Sequence, residues 1–342
     1  MLMDITVDSS THSQKIKQPP VLFSKTQALL SRISKRLNAP VLAYWNSPRG
    51  SICHGDVMAA YALLERLGQH ESIYLFVKSD GGNGQASLRL MNLIRQHAQQ
   101  VKLLAPLECS SAATMLALGA DEIHMGPMAY LTAVDTSLTH ELSPLDREND
   151  RVSVSLDELN RVIGRWNTEN SQANLNAYQA LFQYVHPLVI GAVDRASSLS
   201  VMLCRELLSY HLTDENKIME IAHTLNAKYP SHGYPIMRGE AQKIGLNVVA
   251  MDKQVNDDLL ALNLLYGEMG QRATTDFDEF RSHSNEILNI LEVEGQQIYF
   301  QNDKDWFYRN EERRWITMND NSNWRVLRRM DGRLRKEVFH IG

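Results

Sequence analysis

From residue 24 to residue 127 the apolar positions alternate between two rhythms. Short apolar, β-branched or aromatic runs read as strands: VLAYW at 41–45, SIYLFVKS at 72–79, VKLLAP at 101–106 and DEIHMGP at 121–127. Between them, SKTQALLSRISKRL at 24–37, DVMAAYALLERLG at 56–68, QASLRLMNLIRQHA at 85–98 and AATMLALGA at 112–120 carry apolar residues at helical spacing. Asp56 reads as an N-cap and Gly68 as a stop. Strand–helix repetition with short connections predicts a mostly parallel sheet covered by helices, with functional groups where strands end and helices begin. Residues 151–228 read as mostly helical, and 232–252 as a helix running into a strand. The last seventy residues differ. Trp306, Trp315 and Trp324 recur every nine residues between charged turns, which predicts a β-meander with its aromatics turned inward as a small core.

Composition narrows the class. The 342 residues are 44% hydrophobic and 22% charged, enough to bury a full core without disulfides or metals. Cys53, Cys109 and Cys204 are far apart and odd in number, so they read as reduced thiols in a cytoplasmic protein. The net charge is −5, whereas from Lys304 onward ten Lys/Arg face six Asp/Glu. Nucleic acid is therefore not an expected partner, and the basic tail is the one segment with the charge to reach it. The first twenty residues hold no signal-like apolar region, and no uninterrupted apolar run is long enough for a membrane span. The expected organisation is an N-terminal arm over 1–23, a main domain over 24–270, and a separable, basic, β-rich extension over 271–342.

Two turns carry the chemistry. Ser79-Asp80-Gly81-Gly82 leaves the strand IYLFVK, and glycines there let backbone N–H groups approach a ligand. Ser110-Ser111-Ala112-Ala113 follows VKLLAP and opens a helix, where unpaired N–H groups favour an oxyanion. Together they offer a hydroxyl nucleophile and backbone donors. The bland alternatives are an ordinary Gly-Gly turn and a serine that only caps its helix, the role assigned to Ser110. His54 flanks the helix start capped by Asp56, and Arg49 and Arg195 read as surface pairing residues.

SDGGNGQASLRLMNLIR resembles the SPGG-plus-helix segment of the ClpP/crotonase superfamily. SSAATMLALGADEIHMGP resembles the Ser-Ala-Gly-Thr-Met segment, with the following Ala-Asp-Glu-Ile and Met-Gly-Pro, of the serine dehydrogenase proteinase (SDH) family, which is similar to signal peptide peptidase A. HPLVIGAVDRASSL and HGYPIMRGEAQKIGL extend the resemblance over about residues 40–252. It implies a ClpP/crotonase-like α/β spiral core with a helical insertion and a small β-rich C-terminal appendage. It places the nucleophile on Ser111 and the oxyanion donors on the N–H groups of Gly82 and Ala112. Asp80 stands where the family has proline, and Ala113 where it has glycine.

The base is less direct. Signal peptide peptidases of this fold use a lysine well downstream of the serine, but no lysine lies between Lys102 and Lys217. Neither Lys217 nor Lys243 lies in a segment matching that lysine. ClpP uses His and Asp, and the two corresponding regions here hold Asp135 and His232, with their order exchanged. His232 is the expected base, Asp135 its orienting partner and His140 the alternative base. The resemblance implies a cytoplasmic, homo-oligomeric serine peptidase acting on a peptide or protein, with no metal or other cofactor. The alternatives are a pseudo-peptidase scaffold that binds a partner and a crotonase-type acyl-CoA enzyme.

Overall fold

The computed structural model describes residues 15–147, 150–169, 176–330 and 332–341. The arm expected over 1–23 thus lies outside the described residues up to position 14. A helix α1 (Phe23–Leu37) precedes β1 (Val41–Asn46), α2 (His54–Leu67), β2 (His70–Lys78), α3 (Gly84–Arg95), β3 (Ala98–Ala105), β4 (Glu108–Cys109), α4 (Ala112–Leu118) and β5 (Glu122–Met125). Short strands β6 (Tyr130–Leu131), β7 (Ser137–Leu138) and β8 (Val154–Ser155) lead into α5 (Leu156–Glu169), α6 (Ala177–Leu181), α7 (Pro187–Ser209), α8 (Glu215–His223) and α9 (Arg238–Lys243). Then come β9 (Val248–Ala250), α10 (Lys253–Met269), β10 (Ala273–Asp276), β11 (Arg281–Val293), β12 (Gln296–Arg309), β13 (Arg314–Asp320), β14 (Asn323–Met330) and β15 (Arg333–Val338).

One mixed sheet organises the chain, in the order β15-β14-β12-β11-β1-β2-β3-β5-β9, with β10 on β11 and β13 on β12. The run β1-β2-β3-β5-β9 is parallel. Its strands are apolar on both faces because helices cover both. Leu42, Tyr44, Leu75, Val77 and Leu103 join the core beneath α2, α3, α4 and α7. The alternate residues Val41, Ala43, Trp45, Phe76 and Leu104 pack with Leu30 and Ile33 of α1 and Leu259, Leu262 and Tyr266 of α10. The fold is α/β with a parallel core, a helical insertion between β5 and β9, and C-terminal antiparallel strands.

Those C-terminal strands continue the main sheet. β11 runs antiparallel along β1, pairing Ala43 with Glu292 and Asn46 with Asn289. Glu292 is fully buried and accepts hydrogen bonds from Thr26 Oγ1, Gln27 Nε2, Tyr266 OH and Gln297 Nε2. One carboxylate thus ties α1, α10 and β12 together. Burial pushes its pKa up, against the pull of those donors.

Two expectations need correction, and two helices add to the reading. The N-cap of α2 is Cys53. Asp56 stands three residues into the helix, where its carboxylate accepts from the Cys53 N–H at 2.6 Å. The tryptophan ladder is not a uniform core: Trp324 is buried, Trp306 is partly buried and donates to Ser284, and Trp315 is 45% exposed. Trp315 lies on β13, which among the described residues pairs only with β12. Helix α10 went unread, although Asp252 caps its start through two backbone N–H groups and Gly270 follows its last residue. Finally, α7 is long and apolar enough to cross a membrane by length and composition, with a mean hydropathy of 1.3 over its most apolar stretch. The charged pair Asp194-Arg195 and the serines after it interrupt its apolar run, so no uninterrupted run of that length is present. In this structure its Leu203, Cys204, Leu207 and Leu208 are buried in the main core.

Candidate active site

Just beyond the C-terminal ends of β2 and β4 the chain makes the two turns singled out by sequence, and a parallel bridge between Ser79 and Cys109 brings them side by side. Ser79 N–H donates to Glu108 O, and Ser110 N–H donates to Ser79 O. Beyond them Gly81 and Gly82 adopt φ of +109° and +143°. A Cβ on Gly81 would lie 2.7 Å from Ser111 Cβ, and one on Gly82 would lie 2.5 Å from the Ile52 backbone. Glycine is required at both positions, for conformation and for space.

Ser111 is the N-cap of α4, at φ 52° and ψ −118°. This is a strained conformation for a residue with a Cβ, costing on the order of 1–3 kcal/mol. It is held from several sides. The Ser111 N–H donates to Thr132 Oγ1 at 2.7 Å, and Ser111 O accepts from Met115 N–H. Thr132 is itself fixed, donating its hydroxyl to Ala133 O and its N–H to Thr114 Oγ1. The capping role assigned to Ser110 passes to Ser111 by position only, because its hydroxyl makes no capping hydrogen bond. That hydroxyl is left free for other chemistry.

A cleft of about 350 Å³ opens over this point, and Gly82, Ser111, Ala112, Asp135 and His232 all line it. Among the described residues, the N–H groups of Gly82 and Ala112 have no hydrogen-bond partner. The third nearby donor, Ser111 N–H, is consumed by Thr132. Asp135 follows β6, and His232 lies in the loop before α9. The His232 ring meets the carboxylate through Nδ1, 2.7 Å from Asp135 Oδ1. That hydrogen bond raises the His232 pKa above its ordinary value, more than partial burial lowers it. With Nδ1 committed to the carboxylate, Nε2 is the nitrogen left for proton transfer. Ser200 of α7 donates to Val134 O at 2.7 Å and so braces the segment that carries Asp135. Met115, Leu199 and Leu203 supply an apolar wall.

The other candidates stand elsewhere. His140 does not line the cleft; its Nδ1 accepts from Leu142 N–H and its own N–H donates to Ser143 Oγ, so it closes a local turn. Among the described residues no lysine lines the cleft, and Lys217 borders a different depression with His211 and Gln242. His54 pairs with Arg89 on the surface, and Arg49 with Glu286. Sequence reasoning missed Thr132 and Ser200, for which no motif or spacing gave a signal.

No family model matches the chain. The uncharacterized protein MJ0137 of Methanocaldococcus jannaschii is 24% identical over 206 residues, which is 60% of this chain. The chain spans only 62% of the length of that curated relative. Among solved structures, the chain is similar to a mutant of the 1510-N membrane-bound stomatin-specific protease, with a TM-score of 0.39, 16% identity, and coverage of 69% of this chain and 88% of that one. A second mutant of the same protease, in complex with a substrate peptide, gives a TM-score of 0.37 at 16% identity over 65% of this chain and 78% of that one. A ClpP1 mutant from Listeria monocytogenes gives a TM-score of 0.33 at 12% identity, over 69% of this chain and 99% of that one.

Proposed function

We propose that this protein is a serine hydrolase, and specifically a peptidase of the ClpP/crotonase type, with Ser111 as nucleophile and His232 and Asp135 completing a triad. The observation that carries the reading is the convergence in one cleft of three things: a strained serine with a free hydroxyl, two unpartnered N–H groups on separate turns, and a histidine oriented by a carboxylate. In the proposed reaction Ser111 Oγ attacks the scissile carbonyl while His232 Nε2 takes its proton. The Gly82 and Ala112 N–H groups receive the oxyanion as it forms. His232 then delivers the proton to the leaving amine, and water, activated by the same histidine, releases the acyl group from Ser111. Asp135 keeps the proton on Nδ1 and stabilises the transient imidazolium.

No hydrogen bond joins Ser111 Oγ to His232, and in nucleophile–base pairs that bond often tightens only in the complex with substrate. The test is labelling with a fluorophosphonate followed by mapping of the modified residue. The expected adduct is on Ser111, lost in Ser111→Ala and retained in Ser110→Ala. Labelling that survives Ser111→Ala refutes the reading.

A further inference from the structure

The loop that would carry the oxyanion donor Gly82 is not fixed by its own strand alone. Its outer side is held by Ile52: Ile52 N–H donates to Gly81 O at 2.8 Å, and Asn83 N–H donates to Ile52 O at 2.9 Å. Those two bonds bracket Gly82, leave its N–H free, and make the placement of Gly82 depend on the placement of Ile52. Residues on either side of Ile52 are held in turn by two buried side chains. Asn289 Nδ2 donates to Ser51 O at 2.8 Å and to Asp56 Oδ1 at 2.7 Å. Asp56 Oδ2 accepts from Cys53 N–H at 2.6 Å and from Tyr44 OH at 2.7 Å. Asp56 has no exposed surface and Asn289 is 4% exposed. Asn289 sits at the register shift of the β11–β12 pairing, a bulge that re-aims the side chain at that position.

We propose that Asn289 and Asp56 are positioning residues for the oxyanion loop: they fix Ser51 and Cys53, and through Ile52 they set where the Gly82 N–H points. The inference rests on the hydrolase reading and adds to it a part supplied by the C-terminal strand β11. The chain of contacts is continuous. The side chains hold the 51–53 backbone, that backbone holds Gly81 and Asn83, and Gly82 lines the cleft between them. A displacement of about 1 Å at a reacting group costs roughly 10²-fold in rate. Loss of an oxyanion donor costs about 10²–10³-fold. The effect of loosening the clamp therefore falls on the chemical step.

The experiment follows the time course of fluorophosphonate labelling in the full chain, for wild type, Asn289→Ala and the isosteric Asp56→Asn. Amplitude reports the folded fraction, and the first-order rate constant reports the chemistry of each folded molecule. A merely structural role lowers the amplitude, or scales the rate constant by the folded fraction that circular dichroism reads, and does no more. The expected result is a rate constant lower by about tenfold or more in either variant, with an amplitude that tracks the circular dichroism signal. Rate constants within about threefold of wild type in both variants overturn the inference. A wild type unlabelled at Ser111 overturns the hydrolase reading and this inference with it, whereas a labelled wild type with unaltered variants overturns this inference alone.

Discussion

Nδ1 of His232 lies 2.7 Å from Oδ1 of Asp135, a residue 97 positions earlier in the chain. The two arrive together because β6 leads into Asp135 beside the loop that carries His232; Leu131 and Ile236 exchange backbone hydrogen bonds between those segments. Asp135 holds the His232 pKa above the ordinary histidine value. A general base works only when neutral, so the labelling rate at Ser111 should rise with pH along a limb centred above about 6.5. Asp135→Asn removes the interaction that raises the pKa. The limb should move to lower pH, and the plateau should fall by about 10²–10⁴-fold as the tautomer is lost. A pH–rate profile of the labelling reaction checks both; an unmoved limb removes Asp135 from the proposed triad.

Ser111 stores backbone strain at φ 52°, and glycine takes that conformation without it. Ser111→Gly should therefore abolish labelling while stabilising the fold by about 1 kcal/mol, after subtracting glycine's greater freedom in the unfolded chain. Urea denaturation of both proteins provides the measurement. A destabilised Ser111→Gly variant would show that the strain is relieved in solution.

Much of this arrangement was legible in the sequence. The alternation of strand and helix up to Met125 and the Gly81-Gly82 turn depend on local pattern, and local pattern survives folding. The pairing of Asp135 with His232 was suggested only by resemblance, because nothing in either segment alone distinguishes a hydrogen-bonded His–Asp pair from separate surface residues. The parts missed are those created by distance in the chain. Asp56 looked like a helix cap because its partners Tyr44 and Asn289 cannot be seen from its neighbours. Trp315 looked like Trp324 because spacing does not reveal which strand has a covering layer. Thr132 carries no signal in the sequence, because its hydroxyl meets the Ser111 N–H only in the folded chain.

Asp56 also predicts how stability depends on pH. Burial pushes its pKa up to about 6, against the lowering effect of Tyr44, Asn289 and Cys53, the groups that face it. The folded state thus holds the proton more tightly than the unfolded chain, whose aspartates titrate near 3.8. The contribution is fully present below about pH 4 and is lost as pH rises through about 6, in total about 2–3 kcal/mol. Stability measured from pH 4 to 7 should carry this decline in the wild type and lack it in Asp56→Asn. Parallel curves for the two proteins would assign the slope to other groups.

The pairing of β1 with β11 has a consequence for how the protein is made. Thr26 and Glu292, joined in the finished molecule, are 266 positions apart. At roughly 5–20 residues per second, a ribosome needs on the order of tens of seconds to supply the second after the first. Throughout that interval β1, apolar on both faces, is an open sheet edge with unpaired N–H and C=O groups, a template for pairing with other nascent chains. The growing polypeptide can assemble its parallel strands early, but it cannot close them. A holdase that shields VLAYW until β11 emerges would protect the yield of native protein, and slow translation between α10 and β11 would lower it.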